Sequence, residues 1–362
     1  MTELLYDPSV EVIAEDETET FTKIEQGFIK ISDATRKEEG RDMRSSHAKA
    51  TGLLTGTLEV LGDLPDQLAQ GIAARPMRYD ALVRFAQGPG ELLEDRISTH
   101  RGMAIKLLGV DGPRIAQSRE HATQDFVLEP GAAFIHSTPK TFLADFKGGV
   151  SNAPSIPMGV KSVVSNVARA TNALFGNKGK ILGFLGHPSV HPLAENYFSQ
   201  APLRWGDYVA KVVMAVSQET LDAIGDAKID ASDDPNAFRH AMINYFRNHD
   251  AVFELRVQLN TGLDDMPIED ASVEWPQDES PYQTVAILTL PAQEAYSEER
   301  RVLFDEKLSF SPANSLDEHR PLGGIMRARL AVYPQMSARR SATGFEPRST
   351  ADALGGQREA TG

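Results

Sequence analysis

From Leu53 onward, short apolar runs alternate with Gly, Pro and charged clusters, a rhythm that predicts strands separated by turns. LLTGTLEV, ALVRFAQ, MAIKLLGV and QDFVLE come first, and YVAKVVMAV follows further along. In AVFELRVQLN, Phe253, Leu255, Val257 and Leu259 alternate with Glu254, Arg256 and Gln258, so one face of a strand is buried and the other wet. QTVAILTL is continuously apolar and predicts a buried strand. PNAFRHAMINYFRNHD predicts an amphipathic helix entered through Asp-Asp-Pro. AQEAYSEERRVLFDEKL has helical spacing with charge pairs four apart.

Outside these runs the pattern weakens. The first 40 residues are polar and acidic and predict an arm or short helix rather than core. Residues 158–184 mix Gly and Asn with apolar positions and predict an interrupted helix or a covering segment. After Arg340 large apolar residues are scarce, which predicts a disordered tail. The chain therefore divides into an arm (1–40), a folded domain (41–340) and a tail (341–362). The fold class is α+β: about eight strands in an antiparallel sheet closing into a barrel, with surrounding helices.

Composition changes this picture mainly by exclusion. A formal charge of −14 over 362 residues argues against nucleic acid and against anionic membranes. No cysteine is present, so disulfides, thiolate metal sites and cysteine nucleophiles are all excluded. MTELLYDPSVEVIAEDETET carries acid where a secretory signal carries base, and no stretch reaches the ~20 apolar residues of a membrane span. A soluble cytoplasmic protein is expected.

Candidate chemistry centres on GIMRARLAVYPQMSARR. The stretch before Pro334 predicts a helix, because proline favours extended backbone in the residue ahead of it. Arg329 and Tyr333 then share a helix face, and a guanidinium beside a phenol favours the phenolate, a hard ligand for ferric iron. A surface arginine beside a packed tyrosine has the same spacing. In RDMRSSHAKATG, His47 stands just ahead of the first strong strand, as a proton carrier or as an ordinary core histidine. His187 and His191 in HPSVH have nominal metal-ligand spacing, but Pro188 breaks the helix that spacing needs. Phosphate-binding loops, dinucleotide glycine motifs and the G-x-S-x-G elbow are all missing.

Four blocks resemble the haem catalases, specifically their short catalase-like branch. Arg44-Ser-Ser-His47-Ala-Lys resembles the pattern Arg-x-x-His-Ala-Lys around the distal histidine. Val83-Arg84-Phe85 matches a catalase Val-Arg-Phe, and His100-Arg-Gly-Met-Ala-Ile-Lys106 is similar to Arg-Gly-x-Ala-x-Lys. Arg329-Leu-Ala-Val-Tyr333-Pro resembles the proximal Arg-x-x-x-Tyr-Pro. The blocks occur in family order, and without cysteine a haem iron would need Tyr, His or Met as its ligand.

The resemblance implies a haem-binding domain over 41–340, with haem b as cofactor and no flavodoxin-like C-terminal domain. It implies Tyr333 as iron ligand, Arg329 as its charge partner and His47 as distal acid–base group. Arg44, Arg84 and Arg340 would hold propionates, and Phe134 and Phe142 would pack on the distal side. Two departures shape the function. Where catalases place a peroxide-orienting asparagine, this chain has Glu129, or Pro130 if the register slips by one. Ser46 precedes the distal histidine where catalases usually have valine, a hydroxyl seen in relatives that handle fatty-acid hydroperoxides. The implied activity is a peroxidase reducing hydrogen peroxide or organic hydroperoxides with a small-molecule electron donor. The alternatives are a hydroperoxide isomerase or lyase related to allene oxide synthases, and a non-enzymatic haem-binding or peroxide-sensing protein. Subunit number is open, with a homodimer as one option.

Overall fold

The computed structural model describes residues 2–97, 99–148, 161, 186–340 and 344–355. Apart from Lys161, the segment expected over 158–184 lies outside them. Nine strands form one sheet: β1 (Ala50–Val60), β2 (Arg78–Gln87), β3 (Arg101–Leu108), β4 (Thr123–Pro130), β5 (Tyr197–Phe198), β6 (Leu203–Trp205), β7 (Tyr208–Val216), β8 (Ala251–Leu259) and β9 (Gln283–Leu290). Their order is β5-β4-β3-β2-β1-β9-β8-β7-β6, and β5 also pairs with β7. That extra pairing closes an eight-stranded antiparallel barrel, leaving β6 as a hairpin partner of β7.

The alternation read from the sequence sets which residues fill the barrel. On β8, Phe253, Leu255, Val257 and Leu259 join one buried cluster with Leu54, Phe85 and Met103 from β1, β2 and β3. Each such side chain stabilises the fold by about 1.5–3 kcal/mol through burial. Gln258 departs from the expected wet face: it is buried, and its amide donates to the carbonyls of Trp275 and Ser280. The short strands β5 and β6 carry too few residues for any periodicity to reveal them.

Seven helices flank the barrel among the described residues: α1 (Glu17–Glu39), α2 (Pro139–Gly148), α3 (Gln218–Ile224), α4 (Ala237–Phe246), α5 (Glu298–Arg301), α6 (Gly324–Arg339) and α7 (Thr350–Gly355). The expected short arm is instead a helix of 23 residues, α1, packed on α2 and α6. Its buried stripe is Thr20, Ile24, Gly27, Ile31 and Thr35, one helix face built largely from small residues and therefore weak as a hydrophobic signal. Arg327 on α6 binds the arm down through Glu11 at 2.6 Å and Glu17 at 2.5 Å, and also pairs with Glu269 of the folded domain at 2.9 Å.

The expected disordered tail is corrected over 344–355. Ala353 is fully buried beside Leu53, Leu82 and Phe304, with Phe345 and Leu354 packed around it. The Thr350 N–H also donates to Asp80. Three apolar residues sufficed to dock a segment whose average composition is polar. Pro334 gives a second difference, because α6 runs through it to Arg339. The helix continues because proline removes one backbone donor and the packing of the surrounding turns holds the rest.

Candidate active site

Antiparallel neighbours bring the start of β1, the end of β2, the start of β3 and the end of β4 to one edge of the barrel. His47 stands just before β1, and its backbone N–H donates to Gly88 O at 2.7 Å. His100 immediately precedes β3, and Glu129 lies near the end of β4. His47 Nε2 is 3.1 Å from Glu129 Oε1, and His100 Nε2 is 4.0 Å from Glu129 Oε2. The two imidazoles meet edge to face with centroids 5.6 Å apart. Pro130 instead pairs with Tyr197, so Glu129 is the residue that faces His47.

Glycines make room for both rings. A Cβ on Gly102 would approach His47 Cε1 to 2.7 Å, and one on Gly88 would approach the His100 ring to 2.1 Å. His47 itself has φ 53°, a left-handed backbone that non-glycine residues rarely hold without support from their surroundings.

The electrostatics fix a proton. Burial pushes the Glu129 carboxyl up, but the hydrogen bond from His47 and the charges of His100, His47 and Arg329 outweigh it and hold it at about 2. An ionised carboxylate only accepts, so His47 Nε2 carries the hydrogen and donates it. In the neutral form of the ring the lone pair is then on Nδ1, which is buried and has no hydrogen-bond partner. His100 is held down to about 4, chiefly by burial and then by His47 and His187, against the pull of Glu129.

Across the cleft, α6 presents Val332, Tyr333, Met336, Ser337 and Arg340, and α1 contributes Phe28. His47 and Tyr333 line the same space, a cavity of about 120 Å3 that opens to solvent. In the ligand-free chain the phenol is not ionised. Burial raises the Tyr333 pKa, Arg329 and Arg44 lower it, Glu129 raises it, and the net direction is upward. The arginine acts as expected, yet desolvation is larger, so Tyr333 is a neutral phenol until a cation binds it. The Arg329 guanidinium lies 5.6 Å over the Phe134 ring.

One end of the cleft is cationic. Arg44, Arg84 and Arg340 gather around a single carboxylate, Asp305, 2.8 Å from Arg84 Nε and 3.8 Å from Arg44 Nε. The helix expected over 292–308 is here α5 followed by a wide turn, Val302–Lys307. That turn aims the carbonyl of Phe304 at Arg44, and beyond it the Leu308 carbonyl accepts from Arg44 and Arg340. The Nε atoms of Arg44 and Arg340 are buried with no hydrogen-bond partner. Burial and the neighbouring arginines push Arg44 well down and Arg340 to about 10.

The remaining expected residues sit around this core. Ser46 lines the cleft and donates its hydroxyl to Gly88 O at 3.2 Å. Phe134 and Phe142 are not among the described cleft-lining residues. They pack on each other at 6.1 Å, and Phe142 backs Phe28 at 6.4 Å. Sequence reasoning missed Phe28, Phe310, Asp305 and His100. No sequence signal marked His100: only the register Met103↔Leu128, seen in the structure, carries the start of β3 alongside Glu129. His187 and His191 do not share a metal: His187 pairs with Glu195, and His191 Nδ1 accepts from Leu193 N.

Burial of neutral histidines makes the fold sensitive to acid. His100 and His191 are held at about 4 and His319 at about 3, in each case chiefly by burial. In the unfolded chain these imidazoles bind protons near pH 6.5, so between that value and pH 4 the unfolded state holds more protons. Stability is therefore full above the unfolded value and falls as the pH drops through this window, by up to about 1.4 kcal/mol per pH unit for each histidine. Urea unfolding at about pH 7 and about pH 5 checks this, and His100→Gln should shrink the difference. An unchanged or larger difference in that variant would contradict the assignment.

No protein-family profile and no curated protein sequence matches this chain. Its structure resembles solved catalases. A fungal catalase superposes with TM-score 0.60 at 19% identity, covering 89% of this chain and 63% of its own. Catalase A from Saccharomyces cerevisiae gives 0.58 at 17% identity, covering 87% and 67%. A bacterial catalase gives 0.58 at 14% identity, covering 93% and 63%. This chain thus spans about two thirds of the length of these catalases and has the catalase fold. Among its described residues no helix is long and apolar enough to cross a membrane.

Proposed function

We propose that this protein binds haem b in the cleft between the barrel edge and α6 and reduces peroxides. The observation that carries the reading is that His47 and Tyr333 line one cavity whose end holds two buried arginines, a third that is mostly buried, and one carboxylate. Two buried positive charges in excess, with orphaned Nε atoms, suit the two propionates of a haem, while Phe28, Val332 and Phe310 suit an apolar macrocycle. Tyr333 would be the iron ligand and Arg329 its positioning charge.

When bound, ferric haem supplies a centre that can hold a peroxide and take part in its two-electron reduction. The chain's own residues manage the proton. His47 Nδ1, with its free lone pair, accepts a hydrogen from the peroxide and returns it to the departing oxygen, so that water or an alcohol leaves rather than an anion. Glu129 keeps the imidazole in that tautomer. It cannot donate the hydrogen bond that an amide would, and its charge disfavours a second peroxide held for oxidation. The proposed partners are therefore hydrogen peroxide or an organic hydroperoxide and a small-molecule donor.

Steady-state assays with hydrogen peroxide should show oxidation of a phenolic donor and little oxygen release. Oxygen evolution at the rate of a true catalase would refute the second half of the reading, and absence of donor oxidation the first.

Arg340→Leu separates ligand binding from folding. Removing a buried cation should raise the thermal stability of the haem-free chain, yet weaken haem retention by about 10- to 100-fold, the loss of one charge-assisted contact. Calorimetry and haem transfer to apomyoglobin measure the two effects. If both fall together, the arginine is structural.

A further inference from the structure

His47, His100 and Glu129 are the one group among the described residues whose ligand atoms could share a metal ion, all lying within 4.8 Å of one another. We infer that these three side chains form a binding site for a divalent first-row transition ion, of the zinc or cobalt class, at the barrel edge. Two imidazoles and one carboxylate are a ligand set that such ions accept, with further positions left for water. Bonds of about 2.0–2.2 Å place ligand atoms roughly 3.0–3.5 Å apart. His47 Nε2 stands 3.1 Å from Glu129 Oε1 and His100 Nε2 4.0 Å from Oε2, so the two carboxylate oxygens face one imidazole each.

The scaffold supports such a site. Each ring rests over a glycine where a Cβ would collide with it, so neither imidazole is a mobile surface group. The three ligands come from the ends of β1, β3 and β4 at one edge of the barrel, which β2, paired between β1 and β3, holds in register. The ion would replace the hydrogen between His47 Nε2 and Glu129. The remaining ring hydrogen of His47 then sits on Nδ1, which can no longer accept a proton. Under the haem reading, the ion is therefore an inhibitor.

Cobalt(II) titration of the haem-free full-length protein tests ion binding without reference to haem. The expected result is a visible band that saturates at one ion per chain. His100→Ala and Glu129→Gln should each weaken binding at least about 10-fold, while His240→Ala, at the exposed His240–Asp234 pair, should leave it unchanged. Cadmium-113 NMR of the unsubstituted protein gives a second readout, expected in the range of mixed nitrogen and oxygen ligands. No saturable band, binding indifferent to both site variants, loss in His240→Ala, or an all-oxygen cadmium shift would each overturn the proposal. In the haem-loaded protein, zinc should suppress donor oxidation, and His100→Gln should relieve that suppression. Cobalt bound to a chain that takes up no haem would sink the haem reading and leave the ion site standing.

Discussion

Tyr333→Phe is expected to lower ferric haem retention at least about 100-fold, beyond the 10- to 100-fold typical of losing a group that only supports a metal ligand. The substitution keeps the ring and removes one oxygen. The apolar contacts of Val332 and Met336 remain, and so does the arginine cluster at the cleft end. Whatever affinity disappears belongs to the phenol as ligand. Because burial holds Tyr333 neutral in the haem-free chain, binding must release its proton. Haem uptake should accordingly be weaker at low pH, and that dependence should vanish in the variant. Absorbance titration at several pH values reads both effects. Retention unchanged in Tyr333→Phe would remove tyrosine from the coordination.

The barrel was legible because its information is local. Seven strands carry an alternating or continuous apolar pattern that survives without any knowledge of partners. The closing strand β5 has two residues, and only its pairing with both β4 and β7 gives it a role. The arm failed for a different reason. The stripe of α1 is Thr, Ile, Gly and Ile, whose small residues allow close packing on Phe146 but leave little apolar contrast to read. Composition likewise hid Ala353, because burial of one small residue depends on what stands opposite it.

His47→Ala is expected to retain haem and to lower donor oxidation by about 10²- to 10⁴-fold, the usual contribution of a positioned acid–base group. No guanidinium and no cleft-lining residue of α6 is altered, so binding should change little. Free imidazole added to this variant should restore part of the rate, because the missing function is a proton acceptor at one place in a cavity of sufficient size. His47→Gln separates chemistry from shape: it fills the space and lacks the basic nitrogen, and should be nearly as slow. If both variants turn over like the parent protein, His47 is a structural residue whose left-handed backbone serves the turn before β1.

Site chemistry was legible where it lies along one element and hidden where it crosses several. Arg329 and Tyr333 are one helical turn apart, and Arg44 and His47 share a short segment. Asp305 and the Phe304 carbonyl reach the arginines only because a wide turn follows α5, and helical spacing alone cannot reveal that turn. Arg329 lowers the Tyr333 pKa as its spacing implies, but desolvation is larger, so in the ligand-free chain the arginine alone does not ionise the phenol. His100 had no sequence partner because Glu129, on the neighbouring strand, is its partner in space.

Stepwise addition of ferric haemin to the purified haem-free protein, followed by absorbance and resonance Raman spectra, tests the central claim most directly. One equivalent per chain, with iron–tyrosinate vibrations in the unsubstituted protein and none in Tyr333→Phe, is the expected result. A protein that stays colourless and takes up no haemin, or that binds it with the same spectrum in both forms, would contradict it.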